Sequence, residues 1–220
     1  MIAGYQHFLR LASRVQWDEA EIDLSADAEA WPEVADERLY ELVAGFLIGE
    51  EGVAEHLGHF FTDRHAKEVF DVQRRDEERH ARFFARYATA VGIDDPRAHV
   101  SPEFAEWFDV RLPEAARRSG VEAVGLYHMV LEGVVFTAGQ YALLERLDDR
   151  LPGLKRGMEL VLRDERWHVG FGTRCLADAE LSEADIEAIL QQGERAAAVW
   201  APEQAERVVS TLRRRMAAVR

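Results

Sequence analysis

The sequence predicts an all-α protein built around a bundle of four long helices. Three observations favour this fold class. Apolar residues recur at threes and fours through most of the chain, as they do along one face of an α-helix. Only six prolines and fifteen glycines interrupt the 220 residues. No segment alternates polar and apolar residues for long enough to predict a β-strand.

The four long helices are predicted over residues 36–61, 66–91, 121–147 and 152–177. Gly92 is expected to end the second helix, and Pro152 to open the fourth, because glycine favours helix C-termini and proline fits the first turn. The region up to about residue 30 is expected to be irregular, apart from a capped helix start near Ser25.

Shorter helices are expected in the connections and after the fourth long helix. The dipeptide Leu112-Pro113 should divide residues 102–119 into two short helices, since proline interrupts a helix. Ser182, with Asp185 three residues later, predicts the N-cap of a fifth helix. Pro202 is expected to open the last one.

Length and composition fit one globular domain over residues 1–220. Apolar residues make up 48% and charged residues 31% of the chain. The first residues lack the pattern of a signal peptide and no apolar stretch reaches spanning length, so we expect a cytoplasmic protein without a membrane span. The formal net charge of −14 disfavours nucleic acid as a partner. The single cysteine, Cys175, excludes sites made of several cysteines and leaves carboxylates and histidines for any metal.

Glutamates interrupt the apolar faces of the long helices. Glu50 follows Phe46 and Leu47 by one turn, Glu132 lies inside MVLEGVVF, and Glu165 ends an apolar run in LVLRDE. A buried carboxylate is costly unless it is paired or binds a cation. Repetition of this anomaly on several helices indicates a shared purpose.

A repeated motif supplies the rest of a metal site. Residues 75–80 and 163–168 both read R-D-E-x-x-H, and Glu and His three apart lie on one face of a helix. Two such helices, with one inward Glu from each of two more, make up the ligand set of ferritin-like dinuclear carboxylate bundles. Oxygen and nitrogen donors of this kind suit iron or manganese. The predicted ligands are Glu50, Glu77, His80, Glu132, Glu165 and His168.

Several choices around this site stay open. Glu51 is the alternative to Glu50 as the first ligand. Asp76 and Asp164 are candidates to accept the ring N–H of a ligand histidine, and the alternative is that each pairs with a neighbouring arginine at the surface. A helical bundle with solvated acidic faces and no metal is the alternative for the whole pattern.

These residues resemble a known family. The segments FLIGEEGVAE, DEERHARFF, LYHMVLEGVVFTAGQYA and RDERWHVGFGT resemble the metal-binding helices of the ribonucleotide reductase small-subunit superfamily, and WDEAEIDLSAD resembles its entry segment. The resemblance covers roughly residues 15–180 and is greatest to the small-subunit-like ligand-binding oxidases. It implies a homodimer with a manganese–iron or di-iron centre and a long-chain, fatty-acid-like ligand.

Two further positions follow from the resemblance. Val53 lies three residues after Glu50, and Tyr127 five before Glu132, where the oxidases carry the valine and tyrosine that become joined by an ether cross-link. Phe84 stands where tyrosyl-radical small subunits have their tyrosine, and the chain ends in a basic segment without a late tyrosine, so a reductase role is disfavoured.

The sequence therefore predicts a dinuclear metal oxidase that activates dioxygen to oxidise a C–H bond of an apolar ligand. Val53, Tyr127 and Phe84 would lie beside that ligand. A reductase small subunit that generates a radical and a ferritin-like iron-binding protein are the alternatives.

Overall fold

The computed structural model describes residues 2–56, 64–118 and 120–219, and helices are the only regular elements within these ranges. The prediction of an all-α protein is confirmed. The α-helices are α1 (Tyr5–Ala12), α2 (Ser25–Val34), α3 (Glu37–His56), α4 (Arg64–Val91), α5 (Pro102–Glu106), α6 (Leu112–Arg118), α7 (Gly120–Val124), α8 (Thr137–Arg146), α9 (Pro152–Asp178), α10 (Glu183–Trp200) and α11 (Ala205–Val219). Two π-helical segments, Trp107–Arg111 and Gly125–Phe136, and three 3₁₀ turns, Glu19–Glu21, Pro96–His99 and Pro202–Gln204, complete the list.

Four long helices form the core of the bundle. They are α3, α4, α9 and the continuous helix Gly120–Arg146, which consists of α7, the longer π segment and α8. Helix α3 packs along α4, α9 packs against both α4 and the π segment, and α10 and α11 cover the π segment from the other side. The buried apolar residues of these helices form one continuous cluster, which surrounds the centre of the bundle.

Most of the predicted helix boundaries are confirmed. Helix α4 ends at Val91, and Gly92 follows with a φ of 78°, a conformation that glycine adopts without a steric penalty. Helix α9 begins at Pro152 as expected. Ser182 caps α10 through a reciprocal pair of hydrogen bonds with Asp185. The predicted end of α3 at residue 61 lies outside the described residues.

Two expectations about the irregular regions were wrong. Residues 5–12 form helix α1, in which Tyr5, Phe8, Leu9 and Ala12 recur at threes and fours; contacts with α4 and α9 hold it in place. The junction between the two short helices is not an interruption at Leu112-Pro113. It is the π turn Trp107–Arg111, and Pro113 is accommodated in the first turn of α6.

The helix Gly120–Arg146 corrects the expectation that apolar stretches fall short of a membrane span. By length and composition this helix could cross a membrane, but 83% of its apolar window is buried inside the protein. Burial of that kind is typical of the core helix of a bundle.

The start of α9 is held by a residue from another helix. Leu151, the residue before α9, makes no side-chain cap. Instead the buried carboxylate of Asp27 accepts hydrogen bonds from the backbone N–H groups of Gly153 and Leu154, at 2.8 and 2.7 Å. A carboxylate at this position satisfies unpaired N–H groups and interacts favourably with the helix dipole. Helix α2 thereby sets the position of α9.

The π segment changes which side chains share a face. In an α-helix, residues five apart point about 140° away from each other. In π geometry the backbone hydrogen bonds span five residues, so residues five apart lie close to one face. Tyr127 and Glu132, both in the π segment, accordingly reach the same side-chain amide in the core, that of Gln73.

Candidate metal centre

Six acidic and histidine side chains from the four core helices meet in the middle of the bundle. Each is at most 2% exposed, although charged groups are rarely buried without partners. Helix α3 contributes one residue, α4 two, the π segment one and α9 two. They are Glu50, Glu77, His80, Glu132, Glu165 and His168.

One set of ligand atoms surrounds the Nδ1 atom of His80. This nitrogen lies 3.5 Å from Glu50 Oε2, 3.4 Å from Glu77 Oε2 and 3.7 Å from Glu165 Oε1. These four residues offer ligand atoms that all lie within 4.8 Å of one another. The arrangement could hold one metal ion with three carboxylates and one imidazole.

A second set surrounds the Nδ1 atom of His168. Glu77 Oε1 lies 2.9 Å from this nitrogen, Glu132 Oε1 3.4 Å and Glu165 Oε2 3.6 Å. Glu77 belongs to both sets, with one carboxylate oxygen near each histidine. Glu165 likewise has Oε1 near His80 and Oε2 near His168. Two carboxylates are therefore placed to bridge a pair of metal ions.

The hydrogen bonding of these side chains fits bound cations. Eight of their nitrogen and oxygen atoms are buried and have no hydrogen-bond partner among the described residues. Buried polar atoms normally have partners, so such a cluster needs an explanation. Two metal ions would supply the missing interactions, and two divalent ions would balance the charge of four carboxylates. The unpartnered atoms are both carboxylate oxygens of Glu50 and of Glu165, Oε2 of Glu77 and of Glu132, and Nδ1 of His80 and of His168.

The electrostatics of the metal-free site show how crowded the charges are. Burial raises the pKa of Glu50 and of Glu132 well above the usual range, and neighbouring carboxylates add to the effect. Burial alone would lower the pKa of the two histidines, but Glu50 beside His80 and Glu77 beside His168 raise it well above its ordinary value. Without metal, this centre therefore retains protons near neutral pH.

Asp76 and Asp164 contact the histidines in a crossed pattern. His80 Nε2 lies 3.3 Å from Asp164 Oδ2, and His168 Nε2 lies 3.5 Å from Asp76 Oδ2. Each aspartate thus faces the histidine of the other motif copy, and each histidine keeps Nδ1 toward the centre. Both aspartates are buried, so neither forms a solvent-exposed pair, and Asp164 Oδ1 also lies 3.5 Å from Nε of the neighbouring Arg163. The sequence alone could not indicate the crossing.

The choice between Glu50 and Glu51 follows from burial. Glu50 lies in the first ligand set, whereas Glu51 is exposed to solvent. The two residues point about 100° apart on the same helix, so only one of them can face the core.

Tyr127 lies directly against the site. Its hydroxyl donates a hydrogen bond to Glu77 Oε1 at 2.7 Å and accepts one from Gln73 Nε2 at 2.8 Å. Burial and the nearby carboxylates Glu132 and Glu77 raise the pKa of the phenol well above its usual value, so it stays protonated.

Val53 and Phe84 are fully buried in the core of the bundle. Phe84 stacks on Phe46 at a centroid distance of 5.1 Å and contacts Phe83 edge-on at 5.0 Å. The ring contacts of Phe84 are therefore apolar, and the place of Val53 and Phe84 beside a ligand stays a prediction.

Gln73 and His128 were not recognised from the sequence as part of the site. The Gln73 amide nitrogen lies 2.8 Å from both Tyr127 Oη and Glu132 Oε1, and its carbonyl oxygen lies 3.1 Å from His128 Nε2. Burial lowers the pKa of His128 to about 3, so this ring is neutral. Gln73 precedes Glu77 by one helical turn, and that spacing is the only signal that could have found it.

Trp17, from the segment before α2, also contacts the candidate metal centre. Its Nε1 donates to Asp164 Oδ2 at 2.7 Å, and its ring stacks on His80 at a centroid distance of 6.1 Å. The similarity of WDEAEIDLSAD to an entry segment is the sequence signal that marked this region.

Comparison with known proteins identifies the fold. A solved R2-like ligand-binding oxidase from Sulfolobus acidocaldarius matches with a TM-score of 0.82 and 21% identity, over 98% of this chain and 90% of that one. A valine-to-alanine variant of an R2-like ligand-binding oxidase, solved with an anaerobically reconstituted Mn/Fe cofactor, matches with a TM-score of 0.78 and 22% identity, over 97% and 92%. The chain has the fold of the R2-like ligand-binding oxidases. At these identities the likeness shows the fold alone.

A curated relative is a member of the superfamily that the sequence resembles. Ribonucleoside-diphosphate reductase small chain 1 of Saccharomyces cerevisiae is 28% identical over 197 residues, which cover 80% of this chain and 48% of that protein. The chain therefore spans about half the length of this relative. No protein-family model matches the sequence.

Proposed function

We propose that this protein is a dinuclear metal oxidase that uses dioxygen to oxidise a C–H bond of an apolar, fatty-acid-like ligand. It would act in the cytoplasm as a homodimer, with residues 1–220 as a single domain. The observation that carries the proposal is the convergence of six predicted ligands in one buried site with eight unpartnered polar atoms. Proteins of the same fold have been solved with an Mn/Fe cofactor, which supports a manganese–iron centre here, with a di-iron centre as the alternative.

Each residue has a role in holding the ions. Glu50 and His80 would bind the first ion, and Glu132 and His168 the second. Glu77 and Glu165 would bridge the two. Once bound, the metal ions would supply the electrons that reduce dioxygen. The carboxylates neutralise the ions, and the surrounding apolar core excludes water from the site.

Tyr127 is protonated at rest, and Glu77 is placed to accept its proton when the phenol is oxidised. Its O–H already donates to Glu77 Oε1, and Gln73 holds the oxygen from the other side. Formation of an ether with Val53 would break the Cβ–H bond of the valine and the O–H bond of the phenol, and would make one C–O bond. The two protons and two electrons released would pass to dioxygen, which would be reduced to two water molecules with one further electron from each metal ion and two protons from solvent.

An apolar ligand is inferred from three buried apolar side chains of the core. Val53, Phe84 and Phe46 offer only hydrocarbon surface, and all three are fully buried. An apolar chain suits such a lining, because a polar substrate would lose its hydration without gaining hydrogen bonds. The structural relatives are R2-like ligand-binding oxidases, which supports a bound small molecule here.

The test is aerobic reconstitution of the metal-free protein with manganese and iron, followed by metal analysis and intact mass. We expect two ions per chain and a mass loss of two hydrogens that maps to a peptide joining Val53 to Tyr127. The Tyr127→Phe variant, which keeps the ring but lacks the phenol oxygen, should bind both ions without the mass loss. A wild-type protein that binds no pair of ions, or a Glu132→Ala, Glu165→Ala double variant that binds them equally well, would contradict the dinuclear site.

A second candidate is a ribonucleotide reductase small subunit, which the similarity to the yeast small chain favours. In that case the oxidised protein should carry a stable radical or support nucleotide reduction by a large subunit. If the protein forms no stable radical, supports no nucleotide reduction and shows the Val53–Tyr127 mass loss, the result would favour the oxidase.

A further inference from the structure

The two copies of the R-D-E-x-x-H motif differ just before the histidine. This position is Arg79 in the first copy and Trp167 in the second. Arg79 is only 5% exposed, which is unusual for a guanidinium, and none of the roles proposed above uses it. Its contacts lie on α4, on α9 and on residues 16 and 17, and so many partners for one buried cation call for a function.

Arg79 lies between the two aspartates of the motif copies. Its Nη2 donates to Asp76 Oδ1 at 2.7 Å and to Asp164 Oδ2 at 2.9 Å. Its Nη1 donates to Gln16 Oε1 at 3.1 Å, and its Cζ lies 4.9 Å from the centre of the Trp17 ring. Hydrogen bonds and stacking therefore fix the plane of the guanidinium.

The crossed contacts extend this arrangement to both metal positions. Asp164, held by Arg79, contacts Nε2 of His80, and Asp76, held by the same nitrogen of Arg79, contacts Nε2 of His168. A continuous path of polar contacts therefore runs from one histidine to the other around the outside of the carboxylates.

We propose that Arg79 is a positioning residue that couples the two metal positions. By holding both aspartates in place, it orients the Nε2–H of each histidine and keeps each Nδ1 atom directed at the centre. The inference rests on the proposed dinuclear site and adds a residue outside the ligand set that acts on both ions.

The difference between the two motif copies agrees with one guanidinium group that is shared by both aspartates. Asp76 and Asp164 approach the same nitrogen, so one guanidinium is enough for both copies. At the matching position of the second copy, Trp167 is buried and its ring contacts His168 edge-on at a centroid distance of 4.3 Å. An apolar ring there adds no second charge to the core.

Charge also favours this role. Four glutamates and two aspartates are buried around the centre, and two divalent ions would balance only four of these six negative charges. Arg79 and the partly exposed Arg163, whose Nε lies 3.5 Å from Asp164 Oδ1, supply the remaining two positive charges. Removal of Arg79 leaves a buried carboxylate without its partner, which is strongly unfavourable.

The test is a titration of the metal-free protein with Mn(II) alone, in which free Mn(II) is followed by electron paramagnetic resonance. For Arg79→Met we expect both stepwise dissociation constants to rise, each by about 10- to 100-fold, the usual effect of losing an outer partner of a metal ligand. Arg79→Lys keeps the charge but loses the planar donors and the stacking on Trp17, so a smaller rise in both constants is expected.

Arg74→Met is the matched control. It removes the same charge from the same helix, but Arg74 is exposed and pairs with Glu78 at the surface. Its Mn(II) binding should equal that of the wild type. A folded Arg79→Met variant with unchanged binding, or with only one of the two constants raised, would overturn the proposal. If Arg79→Met does not fold, Arg79→Lys decides by the same criterion. A wild-type protein that binds fewer than two ions would instead contradict the dinuclear site itself.

Discussion

A change of pH should act in opposite directions on the metal-free and the metal-loaded protein. Without metal, burial raises the pKa of Glu50 and of Glu132. Burial alone would lower the pKa of His80 and of His168, but the neighbouring carboxylates raise it above its ordinary value. A group whose pKa is raised in the folded state contributes stability below its unfolded pKa and loses it as pH rises through the folded value. The metal-free protein should therefore be less stable at pH 8 than at pH 6.

The magnitude for metal binding follows from the protons that must leave. A histidine binds a metal only in its neutral form, so loading both positions releases at least about two protons near neutral pH. Each proton released makes overall affinity about tenfold stronger per pH unit, or about 1.4 kcal/mol. The product of the two association constants should thus rise about a hundredfold for each unit of pH.

Two measurements check this. Mn(II) is titrated calorimetrically in two buffers of different ionisation enthalpy, which counts the protons released, and thermal unfolding of the metal-free protein is compared at pH 6 and pH 8. We expect about two or more protons and a lower melting temperature at pH 8. Metal binding that releases no protons, or a metal-free protein that gains stability between pH 6 and pH 8, would refute the electrostatic account of the centre.

Three further variants test how the bundle positions the site. Asp27→Ala should lower the free energy of unfolding by about 2 kcal/mol through loss of the α9 cap. Asp23→Ala, which removes only an exposed hydrogen bond from the Ser25 N–H, should lower it by less; equal effects in denaturant unfolding would contradict the assignment. Gly157→Ala should cost about 1–3 kcal/mol, because a methyl group there would overlap the Phe83 ring, and unchanged stability would mean that α4 and α9 can separate. Gln73→Leu should weaken binding of one Mn(II) ion about tenfold, since Glu132 loses its amide partner; equal weakening of both ions would argue against this local role.

Local patterns account for most of what could be predicted. Helix periodicity, Gly92, Pro152 and the Ser182 cap are short-range signals, and the structure confirms the elements that they predicted. The short amphipathic helix α1 was missed because its stability comes from contacts with distant helices rather than from its own residues.

The six candidate ligands are visible in the sequence for a related reason. The spacing of Glu and His by three residues places both on one helical face whatever the rest of the fold does. A glutamate inside an apolar run is likewise anomalous wherever the helix packs. The sequence by itself therefore indicated which side chains would face the core, apart from the choice between Glu50 and Glu51, and it favoured a cation among them.

Only the tertiary structure decided how these side chains meet. The pairing of His80 with Asp164 and of His168 with Asp76 joins residues 84 and 92 positions apart, and no local spacing encodes which partner each histidine takes. The shared position of Arg79 depends on that crossing. The orientation of Tyr127 depends on π geometry, which preserves the apolar pattern of an ordinary helix while redirecting its side chains. The candidate ligands can be recognised on single helices, because their spacing is local. The contacts that join them to one another exist only once the four core helices pack together.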